Sequence, residues 1–192
     1  MLRQLRILIA LLVLFFVAGT ATLTRFRTTD WDNTLYVSIY PVNGDQSPAT
    51  DSYINSLSDD SFADIEQYFA RQVLTYRDIQ AKPFAITLAP EVKDLPPVPP
   101  RGGNVLQVMY WSMKMRYWAW THNSQSGPAP DIQIYTIYYD PKVYDKVDHS
   151  FGLQKGLVGV VNAFASHAEG KRNNVVVAHD FRHHLGAPAK TD

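Results

Sequence analysis

Four segments rich in β-branched and aromatic residues constrain the fold most strongly, because helical patterns separate the first three of them. A strand is predicted where such residues alternate or form a short apolar run bounded by turn residues. The predicted strands are residues 34–40, 83–88, 131–139 and 157–164. Strands that alternate with helices need crossover connections, which place helices against the sheet. The order β-α-β-α-β-β-α therefore predicts an α+β or α/β domain with a mixed sheet packed by helices.

Two helices are predicted between these strands from apolar residues spaced three and four apart. The first covers residues 61–79 and the second covers residues 104–120. The second helix carries one apolar stripe, made of Leu106, Tyr110, Met113, Tyr117 and Trp120. Large aromatic side chains dominate burial in protein cores, so this stripe is predicted to be core and not a ligand groove. Trp111, Met115 and Trp118 lie off the stripe, which predicts that the helix is covered on more than one side.

Residues 1–27 have the pattern of a membrane-targeting segment. Two arginines precede an unbroken apolar run over residues 7–18, and Arg25 and Arg27 follow it. This pattern predicts an uncleaved signal anchor that forms a transmembrane helix. Residues 28–192 are then the folded domain, placed in the periplasm or outside the cell by a single pass through the bacterial inner membrane. A cleaved signal peptide is the alternative.

Charge and cysteine content narrow the possible partners. The formal net charge is zero, which argues against a nucleic acid as partner. The chain contains no cysteine, so any metal ion has to be held by nitrogen and oxygen ligands.

The C-terminal segment contains a pair of histidines with metal-ligand spacing. His179 and His183 are four residues apart, so on a helix both face the same side and can bind one zinc ion at about 2.0–2.1 Å. Asp180 lies between them, where the H-E-x-x-H motif of zinc peptidases has glutamate. Val177, Phe181 and Leu185 fall on the opposite side of the same helix, which predicts that this side is buried.

The order H-x-x-x-H-x-x-G resembles the metzincin branch of zinc peptidases. The longer stretch is similar to a bacterial family of membrane-anchored zinc-dependent metalloproteases, through Asn173-Asn174-Val175-Val176-Val177-Ala178-His179-Asp180, His183 and Leu185-Gly186-Ala187. Further similarity lies upstream, in residues 35–45, in Trp118-Ala119-Trp120 and in residues 149–164, so it covers most of the chain after the anchor. The resemblance implies a zincin-like domain with an active-site helix and a Zn²⁺ cofactor. It also implies two histidine ligands, an aspartate ligand and an acidic general base.

Carried over by position, His179 and His183 are the predicted zinc ligands and Asp180 is the predicted general base. Ala189 occupies the position of the family's aspartate ligand and cannot bind a metal. Asp192 is the predicted third ligand if residues 188–190 are an insertion. Arg182 and His184 replace neutral residues of the family.

These features lead to one main functional hypothesis and two alternatives. The first is a membrane-anchored zinc metallopeptidase whose edge strand, residues 157–164, holds a peptide or protein substrate by β-augmentation. The second is a catalytically inactive relative that binds peptide or metal. The third is a C-terminally truncated fragment of a longer metalloprotease. The isolated histidines, His122, His149 and His167, are predicted to be surface or loop residues.

Overall fold

The computed structural model describes residues 34–67, 84–100, 102–124, 128–153, 158–170, 173–175 and 177, together with six single residues near the N-terminus. The chain divides into two units, Met1–Trp31 and Asp32–Asp192. In the first unit the six described residues are helical and exposed: Gln4, Ile7, Leu8, Leu11, Leu12 and Phe15. The folded sheet belongs to the second unit.

Five strands form one sheet in the order β2-β1-β3-β5-β4. The strands are β1 (Leu35–Asn43), β2 (Phe84–Leu88), β3 (Ile132–Tyr139), β4 (Phe151–Leu153) and β5 (Val158–Phe164). Neighbouring strands are parallel except for β4, which pairs with β5 in the antiparallel direction. The four strands expected from the sequence are therefore present, and β4 is a fifth strand that the sequence did not predict.

Strand β1 continues beyond Pro41, where the sequence predicted its end. Proline lacks an N–H group, so it is tolerated in a strand only where no partner needs that donor. The Ala89 N–H donates to Ile39 O at 2.8 Å, and Val92 N–H donates to Pro41 O at 2.9 Å, so odd-numbered residues of β1 face β2. Because β2 ends at Leu88, opposite Ile39, the missing N–H of Pro41 breaks no ladder.

Helices cover both faces of the sheet. Helix α2 (Val105–Thr121) packs on one face, in a cluster with Tyr40, Tyr135 and Val160. Helix α1 (Pro48–Asn55) packs on the other face, where Tyr53 and Ile54 meet Tyr138 and Ala163. A 3-10 helix (Asp59–Phe62) and helical residues 63–67 follow α1. The remainder of the helix predicted over residues 61–79 lies outside the described residues.

The predicted fold class is wrong. The expectation was a zincin-like domain with a mixed sheet and an N-terminal transmembrane helix, whereas the structure is a small α/β domain in which four strands are parallel and only the short edge strand β4 is antiparallel. Crossover connections through helices explain the parallel pairing, since parallel neighbours cannot be joined by a tight hairpin. Among the described residues, no helix is both long enough and apolar enough to cross a membrane.

The face of α2 that enters the core is not the one that the apolar stripe predicted. Met115 and Ala119 are buried, and Trp111 and Trp118 pack against the same cluster. The predicted core stripe is exposed along its whole length, from Leu106 at 74% to Trp120 at 72% exposure. Both sides of this helix are apolar, so periodicity alone does not identify the side that meets the sheet.

Strand β5 is not the sheet edge that the sequence predicted. It lies between β3 and β4, and residues 158–163 are all buried. The edge strand is β4, which is only three residues long. A peptide therefore does not gain access to the full length of β5.

Candidate functional site

The residues predicted to bind zinc and to act as base lie outside the described residues. They are His179, Asp180, His183 and Asp192, together with the neighbouring Arg182, His184 and Ala189. The structure does describe the beginning of the helix that would carry them. Gly170, residues 173–175 and residue 177 are helical, so a helix is present in this segment. Val177 is 1% exposed, as predicted for the buried side of that helix.

Asn173 fixes this C-terminal helix to the end of β5. Its Nδ2 donates to the Phe164 carbonyl at 2.8 Å, and its Oδ1 accepts from the Phe164 N–H at 3.3 Å. The side-chain amide thus makes the two hydrogen bonds to the Phe164 backbone that a neighbouring strand would otherwise make. The Asn173 N–H itself donates to Glu169 O at 2.8 Å. Because Asn173 is 7% exposed, these bonds are sheltered from competing water.

Asn174 makes a second polar contact from the same helix. Its Nδ2 donates to Ser61 O in the 3-10 helix at 3.0 Å, although this bond lies at the surface. Two successive asparagines therefore connect the first turn to two different elements. Such directional contacts fix the rotation of the helix about its axis, which apolar packing alone specifies less strictly.

Tyr53 of α1 contacts the Asn173 side chain. Burial raises the pKa of Tyr53, and a side-chain hydrogen bond with Asn173 opposes that rise. The Tyr53 ring also meets Tyr138 edge-on at 5.1 Å and His167 at 5.0 Å between ring centroids. His167 Nε2 lies 3.2 Å from Ser56 Oγ. His167 is exposed, as predicted, and its ring packs beside the ring of Tyr53.

Side chains cover the outer edge of β5 beyond β4. The Asn162 N–H donates to Ser150 Oγ at 3.3 Å, and Asn162 Nδ2 donates to His149 O at 3.4 Å. Two residues further on, Asn173 pairs with both backbone groups of Phe164. Because the groups that would bind an added strand already have partners, this part of the edge does not favour β-augmentation. His149 is exposed and contributes through its backbone carbonyl.

A second polar cluster forms at the C-terminal end of α2, on the opposite face of the sheet. His122 Nε2 lies 3.1 Å from Asp94 Oδ2, and its Nδ1 lies 2.8 Å from Trp118 O. The imidazole stacks on the Trp118 indole at 4.5 Å between centroids. Since both ring nitrogens face oxygen acceptors, His122 fastens the end of α2 to the loop after β2.

Within the part of the chain that the structure describes, no three histidine, aspartate or glutamate side chains come together in a way that could hold a metal ion. The residues predicted to bind zinc all follow Val177 and lie outside the described residues. The chemistry of that donor set, two imidazoles and a carboxylate, suits zinc. The described start of the helix is consistent with such a site, because its buried side is already in place at Val177.

Comparisons with known proteins give no assignment. No protein-family model matches the chain, and neither characterised proteins nor solved structures show a significant similarity to it.

Sequence reasoning missed the role of the two asparagines in holding the helix. They were recognised as part of a motif, but their partners are Phe164 and Ser61, 9 and 113 residues away along the chain. A buried asparagine at the start of an apolar helix is a usable signal, since such a group has to find hydrogen-bond partners. The identity of those partners depends on how the sheet and the 3-10 helix are placed.

Proposed function

We propose that this protein is a zinc-dependent metallopeptidase that hydrolyses peptide bonds with a zinc-activated water. The observation that supports it is the anchoring of the C-terminal helix, since Asn173 holds its first turn against Phe164 and Val177 is buried. Residues that hold a metal need rigid support, because a small displacement of a ligand weakens both binding and catalysis. In the sequence, the two histidines at metal-ligand spacing follow this first turn.

His179, His183 and Asp192 would hold the zinc ion. When bound, zinc lowers the pKa of a coordinated water and polarises the carbonyl of the scissile peptide bond. Asp180 accepts a proton from the attacking water, and after cleavage that proton is available to the departing amine. The apolar segment of residues 7–18 would hold the domain at the outer face of the bacterial inner membrane. Its substrates there would be peptides or proteins.

One observation favours a catalytically inactive relative that binds metal or peptide. Aspartate is one methylene shorter than the glutamate of the related motif, and a general base has to come within about 2.6–3.2 Å of the proton that it accepts. The outer edge of β5 is also covered by Ser150 and Asn173, so a substrate would need to bind elsewhere. The length of the acidic side chain at position 180 therefore distinguishes an active peptidase from an inactive binding module.

The first prediction uses that length. The Asp180→Glu variant of the zinc-loaded protein is expected to cleave a protein substrate faster than the unmodified chain, because its carboxylate reaches the attacking water. General-base assistance contributes about 10²–10⁴-fold, so the gain of Asp180→Glu should fall within that range, and Asp180→Ala should lose the smaller assistance that the shorter acid gives. Proteolysis of casein would be measured, with zinc content determined for each variant.

The controls for this experiment distinguish a poor base from a missing metal. His179→Ala or His183→Ala should abolish zinc uptake, whereas His184→Ala should leave it unchanged because that residue is about 140° around the helix from His179. If all variants at position 180 are inactive while zinc is fully bound, the binding module is the better account. If none of the histidine substitutions changes the zinc content, the assigned ligands are wrong.

A further inference from the structure

The outward side of α2 is an exposed apolar surface in the described part of the folded domain. We refer to it as the α2 outer stripe, and define it by residues Leu106, Met109, Tyr110, Met113, Tyr117 and Trp120, which are 57–74% exposed. Val105, at 75% exposure, extends it at the N-terminal end. Exposed apolar patches of this extent usually mark a surface that binds another phase or molecule.

The stripe occupies one side of a regular helix and is not a scatter of single side chains. With Met113 set at zero on a helical wheel, its members fall within about 100° of arc. The buried residues Met115 and Ala119 lie on the far side, where they hold the helix to the sheet. Helix α2 is therefore firmly attached by one side while it presents the other to its surroundings.

Charged residues of α2 distinguish between the possible occupants of this surface. The helix contains Lys114 and Arg116 but no aspartate or glutamate, and both basic side chains are exposed. They lie on either side of the stripe, about 100° from Met113 in one direction and about 60° in the other. A tryptophan and two tyrosines in an apolar stripe flanked by cations are typical of helices that lie in the interface of an anionic bilayer.

The length of the chain before the sheet brings such an interface within reach. Residues 28–34 are all that separate Arg27 from the start of β1. Seven residues extend over at most about 25 Å. If the N-terminal segment is held in lipid, as the proposed location requires, the domain stays close to the bilayer surface.

From these observations we propose that the α2 outer stripe docks on the interface of a bilayer that contains anionic phospholipid. Tyr110, Met113, Tyr117 and Trp120 enter the boundary between headgroups and acyl chains. Lys114 and Arg116 bind the lipid phosphates on either side. The proposal rests on the proposed membrane location but not on peptidase activity, so the two can fail separately.

Spin labels test this docking, because the chain contains no cysteine of its own. The full chain would be reconstituted into vesicles of phosphatidylglycerol and phosphatidylcholine, with a single label at Met113→Cys. The matched control is Asn55→Cys, an exposed position at the end of α1 on the other face of the sheet. Oxygen concentrates in lipid whereas a nickel chelate stays in water. The label at position 113 should be accessible mainly to oxygen, and the label at position 55 mainly to nickel.

The contribution of the cations is tested in the same vesicles. A basic residue near an anionic surface contributes about 1 kcal/mol, which is about a fivefold change in the docking equilibrium. The double variant Lys114→Glu and Arg116→Glu should therefore lower the docking equilibrium constant, measured as the ratio of lipid-exposed to water-exposed label at position 113, by at least about 30-fold. The matched change Lys142→Glu, at an exposed position after β3, should leave it unchanged.

Other results identify a different occupant. Equal nickel access at positions 113 and 55, in chains that cosediment with the vesicles, would overturn the proposal. Dipolar broadening between labels at position 113 would show that a second copy of the chain covers the stripe, and would also overturn it. Failure of the chain to cosediment would mean that the N-terminal segment does not hold it at lipid, so both the location and the docking would be wrong.

Discussion

Helix α2 and the C-terminal helix that contains Asn173 are held to one sheet by different sets of contacts. Helix α2 relies on apolar side chains, chiefly Met115 and Ala119, with Trp111 and Trp118 beside them. The C-terminal helix has two asparagines in its first turn that bond to Phe164 and Ser61. Apolar contacts dominate along α2, with hydrogen bonds of His122 at its end, whereas side-chain hydrogen bonds hold the first turn of the C-terminal helix.

The contrast suggests what each helix is required to do. Burial of apolar area stabilises a helix without strictly specifying its rotation, which is sufficient for a helix that supports a surface. A helix that carries metal ligands has to present them in one orientation, and buried hydrogen bonds provide that constraint. The following predictions test whether the two attachments differ in this way, from the largest expected effect to the smallest.

The largest effect is expected in the core beneath α2. Met115 is 1% exposed, so Met115→Ala should lower the free energy of unfolding by about 2–5 kcal/mol through lost burial and a cavity. Met113 is 70% exposed on the same helix, so Met113→Ala should change the free energy of unfolding by less than about 0.5 kcal/mol. Urea denaturation of both variants measures the difference. Similar losses would mean that something covers the outer stripe in solution.

An intermediate effect is expected at Asn173. The Asn173→Ala variant leaves the N–H and C=O of Phe164 without their partner, which should cost about 2 kcal/mol of unfolding free energy. It should also weaken zinc binding, because the first turn is then free to rotate. Denaturation and zinc titration on the same sample separate these effects. An unchanged zinc affinity in the folded variant would contradict the role assigned to this anchor.

The smallest effect is expected at Asn174, the neighbouring control. Its bond to Ser61 lies at the surface, where water replaces it readily. Asn174→Ala should therefore lower the unfolding free energy by only about 0.5–1 kcal/mol. If this variant were more destabilised than Asn173→Ala, the C-terminal helix would be anchored mainly to the 3-10 helix and not to β5.

Strand positions could be predicted closely, because local composition determines them. The runs that became β1, β3 and β5 are apolar on both sides, and strands buried on both faces require that composition. Strand β4 was missed because three residues, Phe151, Gly152 and Leu153, are too few to establish an alternating pattern. The position of β5 was misjudged, since its place beside β4 depends on pairing across the sheet.

The candidate site could be predicted only in part. The spacing of His179 and His183 identifies a metal-binding hypothesis from the sequence, and helical residues 173–175 with a buried Val177 agree with the helix that it needs. The way that helix is attached could not be predicted. Asn173 and Phe164 meet only because the chain turns back after β5, and no local pattern specifies which backbone groups an asparagine will find.

The chain's own pattern determined which segments become strands, where α2 begins and how its residues are distributed around it. Hydrogen bonds between Asn104 and Gln107 cap that helix locally, so its start needs no distant partner. Tertiary structure alone decided which side of α2 enters the core. Both sides carry large apolar residues, and the side with Met115 and Ala119 is the one that fits against Tyr40, Tyr135 and Val160. Close packing selects for shape as well as for hydrophobicity, and shape complementarity is a property of two surfaces that are far apart in the sequence.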